Sequence, residues 1–324
     1  MPTISAKEVG ELRKRTGAGL MDCKKALQES DGDFDGALDY LRKKGQKVAE
    51  KRADRDANEG VVVAVQEGNK GLLLSLGCET DFVAKNEEFI QFATKLATHA
   101  LANGLDSKEA LSAAEFEGAP VTEKLVDYTG VIGEKIEVSE VQTIEGDNIA
   151  SYIHSGSKIG VLVSYKDGGN AEGPGFFRSL AMHIAAMAPS IMHPDEFEED
   201  FVRKEAEALQ GQIKVENEDR ARLGKPLKNV PQFASRRQLT PEVMAQVEQT
   251  IKDQLKEEGK PEQIWDKIVP GKIERFIADN TLLDQERCLM SQFFALDDTK
   301  TVETAVKDFH ADAEILSFKR VAVG

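Results

Sequence analysis

The sequence predicts an α+β protein: a three-helix N-terminal module, then a duplicated α/β core of two small antiparallel sheets with helices, interrupted by an inserted helical hairpin. Three observations predict it. Apolar residues recur at helical spacing between glycines over residues 5–45, the period changes to strand-like runs at Gly60, and an order of hairpin then helix occurs twice. A chain of 324 residues that is 40% hydrophobic is also too long for one core of ordinary size. The expected divisions are residues 1–56 for the module and its linker, 57–140 for the first half of the core, 141–194 with 269–324 for the second half, and 195–268 for the hairpin.

The first helices are marked by three stripes, Val9–Leu12, Leu20–Cys23–Ala26–Leu27 and Phe34–Ala37–Leu38–Leu41. Ser5 followed by Glu8, and Asp33, read as N-caps; Gly17, Gly32 and Gly45 read as helix stops. Residues 45–60 are mostly charged and lack a wide apolar stripe, as in a solvated helix or linker. "GVVVAVQEGNKGLLLSLGC" then gives two strands around a Gly68–Asn69 turn. Residues 86–103 follow as a helix, with Asn86 at its N-cap and Phe89, Phe92, Leu96 and Leu101 along one face.

The same order returns as "GDNIASYIHSGSKIGVLVSYKDG" and "GPGFFRSLAMHIAAMAP". Laying "GLLLS" over "GVLVS" and "FATKLATHA" over "FFRSLAMHI" superposes His99 on His183, but the two registers differ by five residues. The second copy has no room for "TDFVAK", so that loop is not demanded by the shared fold. Two charged helical stretches, "DEFEEDFVRKEAEALQGQIKVENEDRARLG" and "TPEVMAQVEQTIKDQLKEEG", are expected to pair with each other across "KPLKNVPQF". "KTVETAVKDFHADAEILSFKRVAVG" reads as a helix and an alternating strand that returns to the second sheet.

Composition narrows the function classes. A net charge of −15 opposes a protein that grips nucleic acid by neutralising phosphates, so a protein partner is favoured over direct nucleic-acid contact. Three cysteines without metal-ligand spacing suggest neither a disulfide scaffold nor a zinc site, which fits a reducing cytoplasm. There is no apolar leader and no run long enough to span a membrane. No cofactor loop is expected either: the glycines of "TGAGLMDCKK" follow a helix rather than a strand, so they read as a tight turn and not a phosphate loop. His99 and His183 read as packing groups and His154 as a polar residue near a hairpin turn; no nucleophile–base order has useful spacing.

"TDFVAKN" is the remaining candidate, and two readings stand. Phe82 either tucks beneath its own helix, with Thr80 or Asp81 as the N-cap, or stands in solvent to meet a partner.

"LRKRTGAGLMDCKKAL" and "CETDFVAKNEEF" resemble the two signatures of elongation factor Ts, the exchange-factor family that acts on the GTPase elongation factor Tu, and "IGEKI" and "SYIHSGSKIGVLV" are similar to further family segments. Leu20 stands where methionine is frequent in the family and Asn86 where aspartate is common. The resemblance implies that the N-terminal module is ubiquitin-associated-like and that the chain performs no covalent chemistry. It implies that Thr80, Asp81, Phe82 and Val83, with Ile132 and Gly133, enter elongation factor Tu near the magnesium of its nucleotide. Arg13, Leu20 and Met21 would contact the same GTPase from the N-terminal module, and His154 would lie on a second contact surface. It leaves open a homodimer formed through the insertion. The rival reading is an adaptor that associates without altering a nucleotide site; an enzyme is a third.

Overall fold

The computed structural model describes residues 4–154 and 156–324. It divides into two compact units, one comprising residues up to Ala185 together with Glu314–Gly324, the other Ala186–Ala313.

The first unit opens with three helices, α1 (Ala6–Thr16), α2 (Leu20–Glu29) and α3 (Phe34–Arg52). Their boundaries follow from local chemistry. Ser5 and Glu8 form a reciprocal capping box, Gly17 closes α1 at φ +68°, and the Asp33 carboxylate accepts the Gly36 N–H at 2.8 Å. Val9, Leu12, Cys23, Ala26, Leu27 and Ala37 are buried together. Gly45 is not the helix stop its residue type suggested. α3 runs on for two more turns to Arg52, and Gly45 instead lets the helix approach a neighbouring backbone, as described below.

β1 (Glu59–Glu67) and β2 (Lys70–Cys78) form the expected hairpin, with Gly68 at φ +57° in the two-residue turn. The four-residue helix α4 (Asp81–Ala84) follows β2, then α5 (Glu87–Ala102), α6 (Lys108–Ala113), a small β3 (Glu115–Phe116) and β4 (Ala119–Pro120) ladder, α7 (Val121–Ile132) and β5 (Glu137–Glu145). β5 pairs antiparallel with β2, giving a sheet ordered β1–β2–β5. Alternation along these strands serves two buried faces. Val61, Val63, Leu72, Leu74 and Leu76 pack in one cluster with Phe89, Leu96 and Ala97 of α5, while Val62 and Leu73 join Leu162 and Val321 of the second sheet. This is why the sequence there reads as unbroken apolar runs.

The second sheet has β6 (Asn148–Ile153) and β7 (Ile159–Asp167), with Ala313–Ala322 on the other side of β7. The α8 helix (Gly173–Met187) follows, stacking Phe177 on Tyr165 with ring centroids 3.8 Å apart. The duplication is thus physical: β2 and β7, the strands carrying "GLLLS" and "GVLVS", are the central strands of their sheets, and Ser75 and Ser164 are both buried. α4 lies between β2 and α5 and has no counterpart between β7 and α8. The matched histidines do not share an environment, since His183 is buried whereas His99 is half-exposed beside Phe116.

In the other unit, α9 (Glu199–Arg222) packs Val202 and Ala206 with Phe197, Ala234, Leu283 and Cys288. α10 (Pro241–Glu257) pairs not with α9, as expected from the sequence, but with α11 (Trp265–Asp279), through Ile251, Leu255 and Val269. α9 carries only a thin stripe, and the residues that cover it come from loops and from α12 (Leu282–Arg287). The short strands β8 (Phe293–Phe294) and β9 (Asp297–Thr301) and the helix α13 (Val302–Phe309) complete this unit. Among the described residues no helix is long and apolar enough to cross a membrane.

Candidate functional site

Immediately beyond β2 the chain makes a single helical turn before α5 begins. Thr80, in extended geometry, caps α4: its hydroxyl oxygen accepts the Val83 N–H at 3.5 Å. Asn86 then caps α5, accepting the Glu88 N–H at 2.8 Å. Within this turn Ala84 is buried and Val83 packs against the core. Successive helical residues point about 100° apart, so with those two turned inward the ring of Phe82 is turned out, at 82% exposure. The tucked conformation is therefore not the one adopted.

Asp81 is a half-buried neighbour on the same turn. The Lys85 ammonium bonds its carboxylate at 2.6 Å and holds its pKa below the ordinary aspartate value; burial opposes this, and the charges of Lys85 and Lys158 add to the lowering. Lys158 is itself fixed by Glu59 at 2.7 Å, so the β6–β7 turn contributes to the field around Asp81.

Ile132 and Gly133 are brought to the same place. Ile132 ends α7, Gly133 is its left-handed C-cap at φ +82°, and the next residue, Glu134, reaches back across to the Phe82 turn. Its Oε2 accepts the N–H groups of Glu79 at 3.2 Å and Thr80 at 3.0 Å, and its Oε1 accepts the Thr80 hydroxyl at 2.7 Å. Glu79 answers in the opposite direction, accepting the Lys135 N–H at 2.7 Å. Both oxygens of Glu79 also bond Arg52 Nη1, at 2.7 and 2.6 Å, and Arg55 approaches at 3.2 Å. Burial raises the pKa of Glu79, but the Lys135 N–H and the two arginines outweigh it, leaving the group below the ordinary glutamate value. Below the turn, burial and the Glu134 charge push the Cys78 thiol up to about 12, so it remains a thiol and donates to Thr80 O.

The other expected residues form separate exposed groups. Leu20 and Met21 open α2 at 53% and 71% exposure, because the buried face of that helix is carried by Cys23, Ala26 and Leu27. Spacing had grouped Leu20 with that buried face; it lies instead at the open edge. Arg13 is exposed in the last turn of α1. His154 is exposed, with Nδ1 3.1 Å from the Tyr152 hydroxyl. Sequence reasoning did not single out Glu79, Glu134 or Arg52. The available signal was positional: both glutamates lie inside quoted motif segments, Glu79 in "CETDFVAKNEEF" and Glu134 in "IGEKI".

What this arrangement offers is a projection rather than a cleft. It presents an exposed aromatic ring, a carboxylate beside it and a hydrogen-bonded base.

Comparisons with known proteins place the chain in a family. A family model described as "Elongation factor TS" matches residues 79–230 and 227–324. The chain is 68% identical to elongation factor Ts of Rhodopirellula baltica and 48% identical to that of Flavobacterium johnsoniae, each over the full length of both chains. It is 42% identical to that of Helicobacter pylori over 100% of this chain and 95% of the relative. A family match over most of the chain and full-length relatives at this identity show that the chain belongs to the elongation factor Ts family of translation elongation factors.

Proposed function

We propose that this chain promotes GDP release from elongation factor Tu, and that Phe82 is the wedge. The observation that carries the reading is the 82% exposure of a phenylalanine ring on a braced turn that only one of two matched repeats contains. An exposed aromatic on a monomer surface is an unspent source of binding free energy.

An exchange factor binds the nucleotide-free GTPase more tightly than the nucleotide-bound form. The factor by which it weakens GDP binding is then the factor by which GDP weakens its own binding. Burying the ring in the partner returns about 1.5–3 kcal/mol, available to displace side chains that hold the nucleotide's magnesium. Asp81 lies beside the ring, its pKa held low by Lys85, and directs the approach by accepting partner N–H groups. As the magnesium shifts, the charge that neutralises the phosphates weakens and GDP leaves. Thr80, Val83, Ile132 and Gly133 line the base of the wedge; Arg13, Leu20 and Met21 provide a second contact on the same GTPase, and His154 a third.

The test is stopped-flow release of a fluorescent GDP from elongation factor Tu. Losing the burial of the ring corresponds to about 10–100-fold in rate, so Phe82→Ala should slow release by that factor at saturating factor. Release at the wild-type rate by Phe82→Ala at equal occupancy would refute the wedge, whereas no acceleration by the wild-type chain would leave association without exchange, the property of an adaptor.

A further inference from the structure

We infer that Glu134 and Glu79 are positioning residues for exchange: they form a reciprocal clasp between the base of the Phe82 turn and the α7–β5 turn, and that clasp sets the direction in which the ring leaves the surface. The inference rests on the reading of Phe82 as the wedge.

The clasp answers a local backbone problem. The β2–β5 ladder ends at Gly77 and Glu137, so the N–H groups of Glu79, Thr80 and Lys135 lie beyond it and lack sheet partners. Each glutamate supplies the acceptors for the other's segment: Glu134 takes the N–H groups of 79 and 80, and Glu79 takes that of 135. Charge-assisted bonds of this kind are stronger and shorter than neutral ones. Arg52, bonded to both oxygens of Glu79, compensates the negative charge of that carboxylate and holds it in place.

The second step concerns the ring itself. A single helical turn does not hold itself, because nucleation fixes several dihedrals for one hydrogen bond. α4 therefore depends on its cap. The Thr80 hydroxyl donates a hydrogen bond to Glu134, which leaves an oxygen lone pair directed at the Val83 N–H. Removing the carboxylate frees the hydroxyl to rotate, loosens the cap and lets the turn, with Phe82 on it, swing. A wedge that yields transmits less of its binding free energy to the groups it must displace.

The experiment measures the maximal GDP-release rate and the half-saturating factor concentration for wild type, Glu134→Ala, Glu134→Gln, Phe82→Ala and the Glu134→Ala/Phe82→Ala pair. Displacements of about 1 Å cost up to about 100-fold where orientation matters. Glu134→Ala should accordingly lower the maximal rate by about tenfold while moving the half-saturating concentration by less than about threefold. Glu134→Gln, which keeps one oxygen acceptor, should fall between. Because the clasp acts through the ring, the paired variant should be no slower than Phe82→Ala alone. Hydrogen exchange of the 81–85 amides in the free protein should rise in both Glu134 variants, and this arm stands even if Glu134→Ala is too unstable to assay. Wild-type rates for both Glu134 variants beside a slow Phe82→Ala, multiplying losses in the pair, or unchanged amide protection would each overturn the inference. A wild-type rate for Phe82→Ala would instead overturn the wedge, and the clasp's role with it.

Discussion

Gly45 of α3 and Gly130 of α7 meet backbone to backbone: a methyl built on Gly130 would lie 2.5 Å from the Gly45 Cα, whereas one on Gly45 would find Val126 O at 3.4 Å and the Gly130 Cα at 3.5 Å. The two positions should respond differently to alanine. Alanine in a helix interior is favoured over glycine by up to about 1 kcal/mol, but a forced backbone shift costs about 1–3 kcal/mol. Gly130→Ala should therefore lower stability by up to about 2 kcal/mol, while Gly45→Ala stays near neutral. Denaturant midpoints of the two variants check this; equal midpoints would show that the crossing relaxes without cost.

Phe82→Ala should leave stability within about 0.5 kcal/mol of wild type, since the ring touches little of its own chain. The same variant separates folding from exchange, because thermal unfolding should be unchanged while GDP release slows.

Excess magnesium should shrink the acceleration the factor gives, because the ion opposes the displacement attributed to Phe82. Release rates with and without factor, over a series of magnesium concentrations, test this. An acceleration that is the same at every concentration would exclude the magnesium route and leave the ring's contribution elsewhere.

Glu79 should make the protein acid-sensitive. Its pKa is lowered in the folded state, so its contribution to stability is complete above the ordinary glutamate value of about 4.3 and is lost as pH falls through the lower folded value. The stability advantage of wild type over Glu79→Gln should accordingly shrink on acidification below about pH 4.3. A difference that does not vary with pH would mean that Glu79 is not the titrating group.

Asp284 predicts the opposite slope. It is fully buried; its Oδ2 accepts the Arg236 N–H at 2.7 Å, and burial raises its pKa despite that bond and the Ser235 side chain. A raised carboxyl pKa means the folded state gains protons first, so wild type gains stability as pH falls through the folded value toward the ordinary one. Asp284→Asn should be the more stable form at pH 7, with an advantage that declines on acidification; a constant or growing advantage would contradict this.

Much of the fold was legible because local signals agreed. Ser5, Asp33 and Asn86 cap the helices they were expected to cap, and the Gly68–Asn69 turn sits where strand alternation required it. The exposure of Phe82 was not legible: a staple is the default for an isolated aromatic in a turn, and comparing the repeats only put the exposed reading level with it, so the 82% exposure of the ring decides between them. Gly45 misled because one residue type serves two needs: it ends helices and it lets helices touch. The α10–α11 pairing was hidden by Pro270 and Gly271, which interrupt the helical pattern of α11 in sequence yet lie within the helix. Glu79 and Glu134 escaped notice because they are 55 positions apart in partnership, and charge on a surface gives no periodic signal of what it will grip.

The two-sided burial of the first sheet has a consequence for biosynthesis. Val62, Leu73 and Leu162 are roofed in part by Val321, on a strand that the ribosome delivers long after the hairpin it protects. During most of translation the nascent polypeptide thus displays sticky, β-prone segments with their eventual lid still unsynthesised, a window in which chaperone capture competes with self-association.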